Sequence, residues 1–346
     1  VCKDLKKKSK KVILISRNPN IRLKGNQLGI DTELFKDEIF PKPCDQYKVI
    51  VEVFMPGSSL EKMFTDERGV PVEEVYQHEN FDWIENEFVE IVSDTAKAIG
   101  RYTNGRIVRL KYDKKIPGGH KALNVEQVVF WESLLMPPDI APLVVTKGVA
   151  GTGKTYCSLA MALNAIEKKG DKKKQTYKQI IVATPTVTVA NEELGFLPGE
   201  IDDKVGPYLG GIVDNLKEIL RPKFPDFTNA ELKKKAMEFF ERGDIEIQPI
   251  GFLRGRTIPN TVFIIDETQN IKPCDIKDIV TRSAEGSKFI FLGDADQVNN
   301  PALNSRYNGL VYLSEKMKGN PHTFQITLNS KKSVRSKLAQ EALDIL

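Results

Sequence analysis

The sequence predicts an α/β protein whose larger, C-terminal part is a mostly parallel sheet covered by helices on both faces. Three observations carry this expectation. From Asn124 onward, β-type apolar runs alternate with stretches of helical length, the pattern of strands joined by crossover helices. The runs at 261–265 and 288–292 are apolar almost throughout, as strands buried on both faces must be. Each of these runs stops at a glycine or at acidic residues, and the C-terminal ends of strands are where open α/β sheets hold ligands.

Taken in order, residues 1–45 open with a β-type run at 12–16 and a helix expected over 20–28, closed by Gly29. After Pro41-Lys42-Pro43, apolar residues alternate at Val49, Val51 and Val53 up to Pro56-Gly57. From there to Gly118-Gly119 short strands, turns and charged stretches follow one another. Residues 46–120 therefore read as a small β-rich connector without recognisable chemistry. Residues 121–346 form the third unit. Strands are expected there over 143–147, 179–184, 245–250, 261–265, 288–292 and 324–328. Helices are expected over 208–220, 229–241, 273–284, 306–316 and 334–346, with one more between Asn124 and the strand at 143. No internal repeat interrupts the alternation.

Bulk properties narrow the function classes. The 346 residues suffice for two domains or for one large α/β domain with an appendage, and 40% hydrophobic with 28% charged content is ordinary for a soluble globular protein. No apolar run approaches a membrane span and no signal peptide is visible, so a cytoplasmic protein is expected. The chain begins at Val1 without a methionine, which leaves room for an upstream segment. Cys2, Cys44, Cys157 and Cys274 form no CxxC pair, and His78, His120 and His322 are scattered, so neither a disulfide framework nor a zinc site is expected. The net charge of +4 does not demand nucleic acid. Lysines do cluster at Lys6-Lys7-Lys8, Lys172-Lys173-Lys174 and Lys233-Lys234-Lys235, either as solubilising surface or as contacts to a phosphate backbone.

The chemistry starts at Gly148-Val149-Ala150-Gly151-Thr152-Gly153-Lys154-Thr155, a full GxxxxGKT loop between an apolar strand and an alanine-rich helix. Glycines let backbone N–H groups curl around an anion, and the helix N-terminus adds partial positive charge. Lys154 would hold the β- and γ-phosphates of a nucleoside triphosphate, and the Thr155 hydroxyl would ligate Mg2+. Downstream, the strand at 261–265 ends in Asp266-Glu267. Adjacent carboxylates there suit two tasks, with Asp266 holding the Mg2+ and Glu267 orienting and deprotonating water. The strand at 288–292 runs into Gly293-Asp294-Ala295-Asp296-Gln297, where Gln297 can meet the γ-phosphate or the attacking water. Gln127 has two readings: its amide reads an adenine edge, or it closes a capping box with Asn124. Arg254, Arg256 and Arg335 are the candidates for charge on a transferring phosphoryl group.

The chain resembles PhoH-like ATPases. Gln127, the GVAGTGKT loop, Glu193-Leu194-Gly195-Phe196-Leu197-Pro198-Gly199, Lys204 with Pro207-Tyr208-Leu209, Arg254-Gly255-Arg256, Asp266-Glu267-Thr268-Gln269-Asn270, GDADQ and Ser333-Val334-Arg335-Ser336 occur in that family's order over about residues 120–346. The resemblance implies a RecA-like P-loop core related to superfamily 1 helicases, ATP and Mg2+ dependence, and a ring-shaped homo-oligomer, expected to be hexameric. It also implies single-stranded nucleic acid, RNA foremost, as the polymer acted on. One departure is Thr184, which stands where the family usually has an arginine before Pro185, so that one cationic contact to phosphate is expected to be weaker. Residues 12–24 resemble the strand and helix near the end of a PIN nuclease domain, a domain that some PhoH-like proteins carry. There the family's metal-binding aspartate falls on Asn18, and the leading strand with its first aspartate is absent. An amide is a poorer Mg2+ ligand than a carboxylate, so the remnant is not expected to cut RNA. Two other readings are a PIN endoribonuclease served by the ATPase, and a nucleotide-dependent switch with little hydrolysis.

Overall fold

The structure is a computed structural model describing residues 2–7, 11–16, 19–33, 50–76, 81–112, 114, 116–167, 177–185, 201–253 and 256–328, with backbone alone at 19 and 201–208. Near the N-terminus, α1 (Cys2–Lys7) precedes β1 (Ile13–Ile15), α2 (Pro19–Gln27) and β2 (Asp31–Glu33). β1 and β2 pair in parallel, so the expected β-α pattern closes into a small β-α-β unit. Asn18 and Cys44 lie outside the described residues.

The connector is a sheet of five strands in the order β3-β5-β6-β7-β4. It comprises β3 (Ile50–Phe54), α3 (Gly57–Thr65), β4 (Val70–Pro71), β5 (Phe88–Val92), β6 (Lys97–Thr103) and β7 (Arg106–Arg109). Alternation in β3 and β5 sends Val53, Val89 and Ile91 to one face, where they meet Leu60 and Met63 of α3 in a small core. The opposite face is not free. Phe88 is completely buried within the main core of the chain, with Ile50, Ile99 and Leu110 packed against it.

The main unit runs α4 (Val125–Leu135), β8 (Leu143–Gly148), α5 (Lys154–Glu167), β9 (Gln179–Thr184), α6 (Ile201–Leu220), α7 (Asn229–Glu241) and β10 (Ile245–Pro249). It continues with β11 (Thr261–Ile265), α8 (Pro273–Val280), β12 (Lys288–Gly293), α9 (Gly309–Lys316) and β13 (Thr323–Leu328). Its six strands are all parallel, in the order β10-β9-β11-β12-β8-β13. Residues alternating along β8, β9, β11 and β12 feed two cores, one on each face of the sheet, which is why these strands read as continuous apolar runs. No helix among the described residues is long and apolar enough to cross a membrane.

Three expected helices shift at their ends. The helix expected from 208 begins at Ile201, because the chain stays helical through Pro207 although that residue offers no N–H. The helix expected over 306–316 starts only at Gly309, where Asn308 Oδ1 caps it by accepting from Val311 N at 2.9 Å. The helix expected over 273–284 stops at Val280, and Gly286 then turns the chain at φ +71°. The helix expected over 334–346 lies outside the described residues.

Buried polar groups tie the layers together. Lys288, fully buried at the start of β12, donates its Nζ to the carbonyls of Ser133, Leu134 and Met136 at 2.7, 2.9 and 2.8 Å. It thereby caps the C-terminus of α4 from the sheet side, where the helix dipole favours a cation. Burial nevertheless pulls its pKa down to about 7. Glu132, 1% exposed, accepts from the backbone N–H groups of Lys111 and Tyr112 at 2.9 and 2.7 Å, joining α4 to the end of the connector. At the other side of the connector, Asn86 Nδ2 donates to Pro321 O at 2.9 Å and its Oδ1 accepts from Arg101 at 2.5 Å.

Candidate active site

The phosphate loop leaves β8 at Gly148 and enters α5 at Lys154, as the strand-loop-helix pattern requires. Gly151 and Gly153 have φ of +82° and +85°, a conformation that other L residues rarely adopt. Lys154 Nζ folds back onto the loop, donating to Gly148 O at 2.6 Å and Val149 O at 3.0 Å. Thr152 Oγ1 also donates to Val149 O, at 2.9 Å. The loop thus presents Ala150, Gly151, Gly153, Lys154 and Thr155 to a cavity of about 250 Å³, whose opposite walls are Asp266, Glu267, Asp294 and Gln297.

Gln127 is held between the start of α4 and the phosphate loop. Asn124 Oδ1 accepts from Gln127 N at 2.8 Å, so Asn124 does cap α4. The Gln127 side chain, however, accepts from Leu123 N at 2.9 Å, one residue earlier than a capping box requires. Its Nε2 donates to Thr152 O at 3.2 Å, fixing the phosphate loop to α4. Gln127 also lines a second cavity of about 490 Å³ with His120, Leu123, Trp131 and Tyr156. Tyr156 OH and His120 Nδ1 are 2.8 Å apart there, and burial lowers the His120 pKa, with Lys223 adding to the effect.

β11 delivers the two carboxylates to the cavity from the far side. Thr155 Oγ1 donates to Asp266 Oδ2 at 2.8 Å, so the loop hydroxyl and the strand-tip carboxylate meet across 111 residues of sequence. Two hard oxygens side by side fit Mg2+, which takes one or two protein oxygens and completes its shell with water and substrate phosphate. Glu267 adopts a left-handed conformation, φ +52°, uncommon for a residue with a side chain and frequent at functional sites. Its pKa is raised, first by burial and then by the Asp266 charge, while the Gln269 amide and Lys154 pull it down. A raised carboxylate pKa suits a group that must accept a proton during turnover.

Gln269 was not singled out for a role in the sequence, yet it organises this wall. It is completely buried. Nε2 donates to Glu267 Oε2 at 2.6 Å and to the backbone oxygen of Gln297 at 3.0 Å, and Oε1 accepts from Asp294 N at 3.1 Å. One amide therefore links the Glu267 carboxylate to the backbone of the GDADQ turn at Asp294 and Gln297. Gly293 makes room for it, since a Cβ there would stand 2.4 Å from Gln269 Oε1. The available signal was an amide two residues past a carboxylate pair, in reach of one of them. Asn270 acts similarly, its Oδ1 accepting from Asn299 N at 2.7 Å.

Of the remaining candidates, Gln297 is exposed at the cavity rim. Arg254 and Arg335 lie outside the described residues. Arg256 is exposed, donates to Gln248 Oε1 at 3.2 Å, and is not among the residues lining the cavity.

A parallel α/β sheet with a glycine phosphate loop at one strand tip and a carboxylate pair at another defines a P-loop NTPase with a RecA-like core. Residues 121–346 match the family model described as PhoH-like protein. The chain is 33% identical over 348 residues to Protein PhoH2 of Bacillus subtilis (strain 168), covering 99% of this chain and 74% of that protein. Protein PhoH2 of Thermobispora bispora is 27% identical over 352 residues, 100% of this chain and 73% of its own. A PhoH-like protein of Bacillus subtilis is 38% identical over 202 residues, 58% of this chain and 57% of its length. Among solved structures, Pif1 helicase from Candida albicans aligns at 19% identity and TM-score 0.32, over 65% of this chain and 43% of that one. The chain belongs to the PhoH-like protein family.

Proposed function

We propose that the chain is a Mg2+-dependent ATPase whose turnover remodels or unwinds single-stranded nucleic acid, RNA foremost, within a homo-oligomeric ring. The observation carrying the hydrolytic half is Glu267, held in a left-handed conformation beside the phosphate loop and tied through Gln269 to the turn that bears Gln297. A P-loop protein that only bound nucleotide would need Asp266 and no second carboxylate. In this reading Lys154 releases the Gly148 and Val149 carbonyls to meet the β- and γ-phosphates. Thr155 and Asp266 are the residues that would hold Mg2+, which when bound would neutralise phosphate charge. Glu267 takes the proton of the attacking water, and Gln297 contacts the γ-phosphate. Arg254 and Arg335 are assigned the transition-state charge, by analogy of side-chain chemistry with phosphoryl-transfer sites. The nucleic-acid and ring assignments rest on family resemblance and on the lysine clusters, of which Lys233 and Lys234 are exposed on α7.

The test is ATP turnover with and without single-stranded RNA or DNA, for wild type, Lys154→Ala and Glu267→Gln. Glu267→Gln is expected to bind ATP normally and lose at least about 100-fold in kcat, the scale of a general base. Turnover of Glu267→Gln at the wild-type rate would refute the base assignment. Absence of stimulation by either polymer would refute the coupling to nucleic acid.

A further inference from the structure

The phosphate cavity and the larger apolar cavity beside it share Gly151, Gly153 and Tyr156, so together they form one groove. No sequence motif gives α6 a part in that groove, yet the helix borders both halves. Asn215 lines the phosphate half and Glu218 the apolar half. Three positions apart on a helix, the two side chains share a face, with Cβ atoms about 5–6 Å from each other. A triphosphate seated on the loop, with its base among Leu123, Trp131 and Tyr156, carries its sugar across the junction between the halves.

Charge decides what each side chain can do there. A carboxylate close to a polyphosphate is repelled, and Glu218 stands in the half away from the phosphate loop. A carboxylate is an acceptor only, so the partners it suits are hydroxyl donors, and a ribose offers two side by side. Arg221 donates to both Glu218 oxygens, to Oε1 at 2.9 Å and to Oε2 at 3.3 Å, which lowers the carboxyl's pKa and keeps it charged while each oxygen retains a second lone pair for a hydroxyl. Its side chain is 58% exposed and so open to a ligand. Asn215 is neutral. Its Nδ2 donates to Gly211 O at 2.8 Å and carries a second hydrogen that suits a phosphate oxygen.

We propose that Glu218 reads the sugar, accepting from the 2′- and 3′-hydroxyls of a ribonucleoside triphosphate, while Asn215 donates to the adjoining phosphate. The proposal rests on the nucleotide reading of the site, and it makes α6 the third wall of that site.

The experiment measures binding of ATP, 2′-deoxy-ATP and 3′-deoxy-ATP to the full chain by titration calorimetry, with Mg2+ withheld so that nothing is turned over, for wild type, Glu218→Gln and Glu218→Ala. Wild type is expected to hold ATP about tenfold more tightly than either deoxy nucleotide, the scale of one hydrogen bond to a charged acceptor. Glu218→Ala should bring the three within about twofold by weakening ATP about tenfold more than either deoxy nucleotide, each of which has one hydroxyl bond to lose against two for ATP, with Glu218→Gln in between. In turnover the loss should appear in KM at unchanged kcat, the signature of an interaction made equally in ground and transition states. Asn215→Ala should weaken all three nucleotides alike. A wild type indifferent to the sugar, or a Glu218→Ala variant that keeps the full preference, overturns the assignment. Because binding is read without hydrolysis, a chain that binds ATP and never turns it over would defeat the hydrolysis reading and leave the sugar result standing. A wild type that binds no nucleotide overturns both.

Discussion

Replacing Gln269 with leucine removes three hydrogen bonds from one buried point while nearly conserving volume. The bond to Glu267 is the one that touches chemistry, 2.6 Å from an amide to a carboxylate. Bonds to charged groups contribute about 1.5–3 kcal/mol, and about 1.4 kcal/mol is a tenfold change in an ionisation equilibrium. Losing this one makes ionisation of Glu267 about tenfold or more harder, on top of the burial and the Asp266 charge that already raise its pKa. The sign follows directly. A base must be ionised to accept a proton, so the acid limb of the kcat profile moves to higher pH. The variant should be slowed about tenfold or more on that limb and much less on the alkaline side, apart from a pH-independent loss due to the freed GDADQ turn. Steady-state ATP turnover from pH 5.5 to 9.5 reads both components (about four pH units, enough to separate a limb from a plateau). A profile lowered by the same factor at every pH would refute the reasoning, leaving Gln269 a packing residue and nothing more.

Other expectations follow from the same structure. Gly293→Ala puts a methyl group 2.4 Å from Gln269 Oε1, so it should reproduce the pH behaviour of Gln269→Leu without altering either carboxylate. Lys288→Met orphans the carbonyls of Ser133, Leu134 and Met136 but no longer buries an amine, for a net loss of about 2–4 kcal/mol in chemical denaturation. Because the folded-state pKa of Lys288 lies at about 7 and the unfolded one near 10.5, only the unfolded state holds that proton between the two values. Wild-type stability should therefore gain a component that rises with pH across that window, and Lys288→Met should lack it. Asn86→Ala strips the Pro321 carbonyl and the Arg101 guanidinium of a partner and should cost about 1–3 kcal/mol in the same measurement, with little effect on KM for ATP.

The parts of this molecule that were legible in the sequence are those whose physics is local. The phosphate loop announces itself because a tight anion cradle needs glycines at fixed offsets, and the strands announce themselves because burial on both faces leaves only apolar residues at 261–265 and 288–292. Asn124 as a helix cap was equally local, and the structure confirms it. What escaped was set by tertiary proximity. The Gln269 amide gains its meaning from residues near 294 and 297 that reach it only when β11 and β12 lie side by side. Asn215 and Glu218 sit in an ordinary amphipathic helix, and only its packing against α5 shows that they line the groove. Lys288 reads as the polar edge of a strand until the end of α4 is found above it.

Glu132 carries a consequence for where this family's module begins. The segment that matches the family starts at residue 121, within the chain but not at a seam in its packing. Both oxygens of this nearly buried carboxylate are satisfied by N–H groups of Lys111 and Tyr112, which precede that boundary. Cutting there would take two backbone donors from a nearly buried carboxylate and open the core that includes Phe88. The stretch that the family match marks is thus shorter than the stretch that shares its core and its buried hydrogen bonds.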